Sequence, residues 1–316
     1  MTQRRVLVTG AGGFVGRSLA LGFADLGWQV IGLDRAFDGG WEHQDIRQAD
    51  AASESQDIRQ VAAELAEGVP QEVPGVDLVV HAAWVTTDAE TLGITPAASV
   101  TLNLRPLRAV LEYTVRTRPP AFVFLSSSGV FAPGDATDGL TDADHPTGTS
   151  PYATAKRAGE LLAQGTAESP QATAVHVVRL GYLFGPDELA RPSRLAVSLV
   201  ARWLAAARDG RPLEVRSDDP RRDWTFTSDL AAALERVVAG PPAGHPVHLG
   251  SPHVCTDSAF ANLIASQVPG AEPVTVPATG PVKPPMIPSD IPALRGFSWT
   301  DPAAGLQVLL SGEVAA

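Results

Sequence analysis

Apolar runs and amphipathic stretches alternate along this chain. The first run, RRVLVTG (4–10), is a short apolar block closed by glycine, the pattern of a strand buried on both faces. GFVGRSLALGFADLG (13–27) then carries apolar residues at helical spacing, with Gly27 as the stop. WQVIGLD (28–34), VDLVVHAA (76–83), AFVFLSSS (121–128) and AVHVVRLGYLF (174–184) read as further buried strands. Helices are expected over roughly 97–117 and from about Ser150 onward. Such alternation predicts an α/β fold, a doubly wound parallel sheet of Rossmann type covered on both faces.

After Gly185-Pro186 the rhythm changes. A helix is expected over SRLAVSLVARWLAAARDG (193–210), then a short strand PLEVRS (212–217). RDWTFTSDLAAALERVV (222–238) and HPVHLGS (245–251) are expected to return to the main sheet, and the proline-rich 273–292 to run extended over the surface. The division that follows is a Rossmann domain of 1–180 plus about 221–250, with a smaller C-terminal substrate lobe of 181–220 plus 251–316.

The net charge of −11 gives no electrostatic footprint for nucleic acid or anionic lipid. No apolar run reaches the length of a membrane helix, and the only apolar run before Thr9, Val6-Leu7-Val8, is too short for a signal-peptide core. A lone cysteine, Cys255, makes the cytoplasm the expected compartment.

TGAGGFVG (9–16) places Gly10, Gly13 and Gly16 between the first strand and the first helix. Glycines there permit a tight turn and close approach of the backbone to a pyrophosphate, which the helix N-terminus attracts. Asp34 ends the second strand, where a carboxylate can accept bonds from the adenosine ribose and repel a 2′-phosphate, so the cofactor is expected to be NAD rather than NADP. Arg35, beside it, argues the other way.

The chain has two lysines against twenty-two arginines, and only three tyrosines, yet Tyr152 and Lys156 stand four apart on an expected helix. They share a face. A free phenol is a poor base at neutral pH, and a nearby ammonium would lower its pKa. Lysine suits that task as a compact point charge, and it can also bond ribose hydroxyls.

With TGAGGFVG, HAAW (81–84), FLSSSGVF (124–131), SPYATAK (150–156), VVRLGYLFGP (177–186) and RRDWTFTSDLA (221–231), the chain resembles the extended short-chain dehydrogenases/reductases of the NAD-dependent epimerase/dehydratase superfamily. LRGFSWTDPAAGLQVLL (294–310) resembles the family's ending. The resemblance implies Tyr152 as general acid/base, Lys156 as its partner and Ser127 as the hydroxyl that orients the substrate oxygen, with Ser128 beside the pocket. It implies cofactor contacts from Phe14, Val15, Ala82, Ala83, Asn103, Leu180 and the pair Asp50-Ala51, with Asp45-Ile46 a rival for that pair. It also implies a homodimer through the helices holding Asn103 and Tyr152.

Departures narrow the chemistry. Members that dehydrate nucleotide sugars carry Asp-Glu after the catalytic hydroxyl, where this chain has Ser128-Gly129. Tyr182 stands where nucleotide-sugar enzymes often have Asn or Thr near the pyrophosphate. Arg222 matches an arginine that often contacts substrate phosphate, and Arg216 and the arginines at 191 and 194 are further candidates to hold an anionic group. His245 and His248 are three apart on an expected strand, face opposite ways and suggest no metal site. The aspartates of PGDATDGLTDADH (133–145) lack calcium-loop spacing, and His81 reads as a core histidine.

The expected activity is hydride transfer from a secondary hydroxyl or hemiacetal of a small sugar, sugar acid or polyol to NAD. The alternatives are a nucleotide-sugar 4-epimerase with bound NAD and a non-catalytic dinucleotide sensor, against which the Tyr-Lys pair counts.

Overall fold

A computed structural model describes residues 3–37, 58–166 and 173–313. Seven parallel strands form the main sheet in the order β10-β6-β5-β4-β1-β2-β3. They are β1 (Arg5–Thr9), β2 (Gln29–Asp34), β3 (Ile58–Ala62), β4 (Leu78–His81), β5 (Ala121–Ser127), β6 (Ala174–Leu180) and β10 (Val247–Leu249). The order in which strands are added reverses between β1 and β4, and the carboxyl ends of strands at such a switch point are where ligands bind in open α/β sheets.

Helices α1 (Phe14–Asp25) and α5 (Leu230–Ala239) cover one face, packing Leu19, Phe23, Leu230 and Leu234 onto Val6, Val8, Val80 and Val123. Helices α2 (Pro96–Thr117) and α3 (Pro151–Thr166) cover the other, where Leu107, Val110 and Tyr113 meet Leu7, Val79, Phe122 and Phe124. The strands thus lose water on both faces, which is why they read as unbroken apolar runs. Thr95 caps α2 by accepting the Ala98 N–H at 3.2 Å, and Arg118 ends the helix in the left-handed region with φ 51°.

The C-terminal lobe has its own core. Helix α4 (Leu199–Arg208) and helix α6 (Asp257–Gln267) enclose Trp203, Trp224, Phe184 and Phe260, with Trp224 and Phe260 ring centroids 4.6 Å apart. The chain's last helix is α7 (Pro302–Glu313), whose buried Leu306 joins the same core.

Three expectations change. The run 174–184 divides at Gly181 into β6 and a separate β7 (Tyr182–Phe184), and the Asp223 carboxylate fills the space a Cβ at Gly181 would take, 1.6 Å away. β9 (Arg221–Phe226) does not return to the main sheet; it pairs with β7 and β11 (Val254–Thr256), and only α5 and β10 rejoin the Rossmann layers. Residues 193–198 are not helical: α4 starts after Ser198, which caps it by accepting the Ala201 N–H at 3.2 Å. The proline-rich segment opens as β12 (Pro273–Val276), paired with β8 (Leu213–Arg216), and continues as a strap that buries Met286.

Candidate active site

The carboxyl ends of β1, β2, β4, β5 and β6 border one cleft in two connected parts that share Gly10, Gly13, Ala82, Trp84, Arg191 and Ser193. The part beside Asp34 holds about 270 Å³ and the part beside Tyr152 about 390 Å³.

Between β1 and α1 the chain passes within touching distance of itself. Gly10 has φ +73°, and a Cβ there would stand 2.5 Å from the Ala83 nitrogen. At Gly16 a Cβ would stand 2.0 Å from the Gly10 carbonyl oxygen. Only glycine serves either position. Gly13 begins α1 without a side-chain cap, and the first turn holds no acidic residue. The amide groups and positive dipole of that turn therefore suit an anion such as a diphosphate. Phe14, Val15 and Leu180 line the cleft here.

Asp34 accepts the Gly12 N–H at 2.9 Å and the Arg35 N–H at 2.7 Å. Burial raises its carboxyl pKa, and those backbone bonds oppose the rise. Glu64, which sequence reasoning missed, lines the same part and sits 3.9 Å from the Arg35 guanidinium. Two carboxylates and a countered arginine fit ribose hydroxyls and oppose a 2′-phosphate. Ala82, Ala83 and Asn103 line this part too. Asn103 also ties down the loop after β4, its side chain accepting the Val85 N–H at 2.7 Å and donating to the Val85 carbonyl at 3.1 Å. Asp50 and Ala51, with Asp45-Ile46, lie outside the described residues.

Ser127 ends β5 and accepts the Gly129 N–H at 3.0 Å. Tyr152 sits in the first turn of α3, which Ser150 caps by accepting the Ala153 N–H at 3.1 Å. Tyr152 is half-buried and lines the cleft with Ser127, and the two side chains flank Gly129. Gly129 is the space the ring needs, since a Cβ there would lie 2.6 Å from Tyr152 Cε1. The missing side chain at 129 is thus a packing requirement of the tyrosine.

The expected pairing of the two α3 side chains changes in one respect. Lys156 shares the helix face, but its ammonium donates to the Leu125 carbonyl at 2.6 Å and stands 3.9 Å from the centroid of the Trp84 ring. Burial pulls its pKa down to about 7, and Glu160 opposes that. Burial likewise raises the Tyr152 pKa, and Ser127 and the Arg194 charge oppose the rise. Four-residue spacing sets a shared face, and the tertiary neighbours decide what each side chain touches.

Below them lies a buried network absent from the sequence reading. Glu160 accepts from Ser126 Oγ at 2.6 Å and from two Arg179 nitrogens at 2.8 and 2.9 Å.

The outer end of the cleft is basic. Arg191, Arg194, Arg202 and Arg222 line it with Tyr182 and Trp224. Arg194 pairs with the buried Glu188. Arg222 gives two nitrogens to the buried Asp257 and lies 4.4 Å over the Tyr182 ring, so its fork is already occupied. Arg202 is exposed and has no ion-pair partner among the described residues. The expectation for Arg216 fails: it does not line the cleft, and its guanidinium is spent on Asp218 and the carbonyls of Thr279 and Gly280. Ser128 is buried beside the cleft with Lys283 on its oxygens. Nothing marked Lys283 in the sequence beyond the rarity of lysine.

Residues 6–250 match the model of the NAD dependent epimerase/dehydratase family. This chain belongs to that family. A dTDP-glucose 4,6-dehydratase of Streptomyces niveus is 28% identical over 82% of this chain and 76% of its own length. An uncharacterized UDP-glucose epimerase of Bacillus subtilis, YtcB, is 25% identical over 98% of this chain and 97% of its own. Among solved structures, the dTDP-glucose 4,6-dehydratase DesIV of Streptomyces venezuelae, solved with NAD bound, has a TM-score of 0.76 at 22% identity, covering 98% of this chain and 97% of that one. As a member of the NAD dependent epimerase/dehydratase family the chain is an enzyme with NAD as its cofactor, and the glycine turn and Asp34 fit that group. Among the described residues no cluster of His, Cys, Asp or Glu is placed to hold a metal, and no helix is long and apolar enough to cross a membrane.

Proposed function

We propose that this enzyme oxidises a secondary hydroxyl or hemiacetal of a small sugar, sugar acid or polyol and releases NADH. The observation that carries this reading is the placing of Tyr152 beside Ser127, about Gly129, in the same cleft as the glycine turn. Ser127 holds the substrate oxygen and Tyr152 takes its proton as general base. Burial opposes the phenolate, and the Ser127 hydroxyl and the Arg194 charge favour it. The nicotinamide, when bound, accepts the hydride from the carbon that becomes the carbonyl. Lys156 contributes charge and donors on the cofactor side.

The arginines at the outer end favour a substrate with an anionic group. They also support the second reading, a nucleotide-sugar 4-epimerase, since the relatives are named for dTDP-glucose and UDP-glucose chemistry. The two differ in net redox change. The test is absorbance at the reduced-nicotinamide band across a panel of aldoses, uronates, aldonates and nucleotide sugars. NADH accumulating in proportion to substrate consumed supports the dehydrogenase; isomerised UDP-sugar without NADH supports the epimerase.

A homodimer through α2 and α3 belongs to the same proposal. Leu102 and Val115 on α2 and Leu161 and Leu162 on α3 are exposed, an apolar set that pairing would cover. Light scattering giving a monomer mass at micromolar concentration would reject it. A cytoplasmic location is proposed on the single cysteine.

A further inference from the structure

The second lysine of the chain, Lys283, comes from the proline strap to lie against Ser128 and beside Tyr182, next to the cleft. The strap's main chain is held on three sides, by the backbone of Leu140, the backbone of His248 and the Asp223 carboxylate. Leu140 N–H donates to the Pro285 carbonyl at 2.9 Å and Ile287 N–H to the Leu140 carbonyl at 2.8 Å. Met286 N–H donates to Asp223 at 3.1 Å, and Ser289 N–H to the His248 carbonyl at 3.0 Å. From this span Lys283 Nζ donates to the Ser128 carbonyl at 2.7 Å and meets the Ser128 hydroxyl at 3.1 Å. It also lies 5.8 Å from the centroid of the Tyr182 ring, which lines the cleft. Ser128 directly follows Ser127.

An ammonium has three donors and a full charge. Here two donors meet neutral oxygens, and no carboxylate lies within ion-pair distance among the described residues. Asp223 attracts the charge from farther off, but its two oxygens already accept from the Met286 and Tyr182 N–H groups. Arg222 repels it. Desolvating a cation against neutral partners costs free energy unless an anion completes the site. Burial lowers the Lys283 pKa to about 8, which leaves the group charged near neutrality. Fastening the strap does not require that charge, because its main-chain bonds already do it.

We propose that Lys283 and the Ser128 hydroxyl form a carboxylate subsite at the edge of the cleft beside Tyr182, which selects a sugar acid over its neutral counterpart. The subsite rests on the reading of Ser127 and Tyr152 as the centre that holds the sugar. One Lys283 donor and the ammonium charge face the carboxylate, and Ser128 Oγ–H gives a second bond, a charge-assisted pair.

The test is calorimetry on NAD-loaded enzyme with two matched pairs, glucuronate with glucose and UDP-glucuronate with UDP-glucose. In at least one pair the acid is expected to bind at least tenfold more tightly. Lys283→Gln is expected to shrink that preference to about twofold with NAD affinity unchanged; Lys283→Arg keeps most of it and Ser128→Ala part. Arginine and alanine variants keep the test decisive should the glutamine variant misfold. Equal binding within both pairs, a preference that survives Lys283→Gln, or no binding of either acid overturns the subsite. Because calorimetry reads binding alone, acid preference without hydride transfer would sink the proposed reaction and leave the subsite. Turnover of neutral sugars without acid preference would do the reverse.

Discussion

Glu160 and Arg179 form a buried ion pair with two bonds, at 2.8 and 2.9 Å, between the helix that carries Tyr152 and Lys156 and the strand β6 behind it. Glu160 follows Lys156 by one helical turn and raises the lysine's pKa. Fold and site therefore depend on one carboxylate.

Glu160→Gln leaves Arg179 buried without its counter-charge. The expected loss is about 3–5 kcal/mol, read from urea melts. Replacing both partners with Leu and Met should recover much of it. In any folded Glu160→Gln protein the Lys156 pKa falls further below about 7, so NAD affinity at pH 7 should drop and recover as pH is lowered.

Asp34→Ala should narrow the preference for NAD over NADP. A carboxylate about 5 Å from a phosphate opposes it by roughly 3 kcal/mol at an effective dielectric near 20. Adding Glu64→Gln should narrow the gap again, since Glu64 also frees Arg35 when it goes. Titration of both cofactors by calorimetry checks this. A wild-type preference for NADP would show that Arg35 governs the site.

His81 gives stability a pH dependence. It is buried between Thr9, 2.8 Å from its Nδ1, and the stacked Phe124 ring, and burial, then the Lys156 charge, lower its pKa to about 3. Below pH 6.5 the unfolded chain takes up a proton that the folded chain refuses down to about 3, so stability falls as pH drops through that window. Asp223 acts oppositely between 3.8 and about 6, because burial raises its carboxyl and the folded state keeps the proton. His81→Asn removes the first effect and leaves the second. Between pH 6 and 4 the wild type should therefore lose roughly 2 kcal/mol more than the variant in urea melts.

Much of this was legible in the sequence, and the reason differs by residue. Val6, Leu7 and Val8 are buried on both faces, and that alone marks β1 as an inner strand. Gly10, Gly16, Asp34, Ser127 and Tyr152 are set by local turns and strand ends, which short motifs record. Lys156 on Trp84, Arg35 beside Glu64, and Lys283 on Ser128 are contacts between distant segments, and spacing carries no trace of them. Arg222 and Arg216 were legible as cations, while the carboxylates that occupy them, Asp257 and Asp218, were not. The separate sheet of β7, β9 and β11 was missed because Asp223 and Gly181 fit each other only in three dimensions.

The central claim is that Tyr152 moves the proton that permits hydride transfer to NAD. The direct measurement is NADH absorbance for wild type and Tyr152→Phe on the sugar the wild type consumes fastest, with NAD affinity measured alongside by calorimetry. The expected result is a rate lower by about 10²–10⁴-fold with NAD affinity nearly unchanged. A phenylalanine variant that turns over near the wild-type rate would contradict the account.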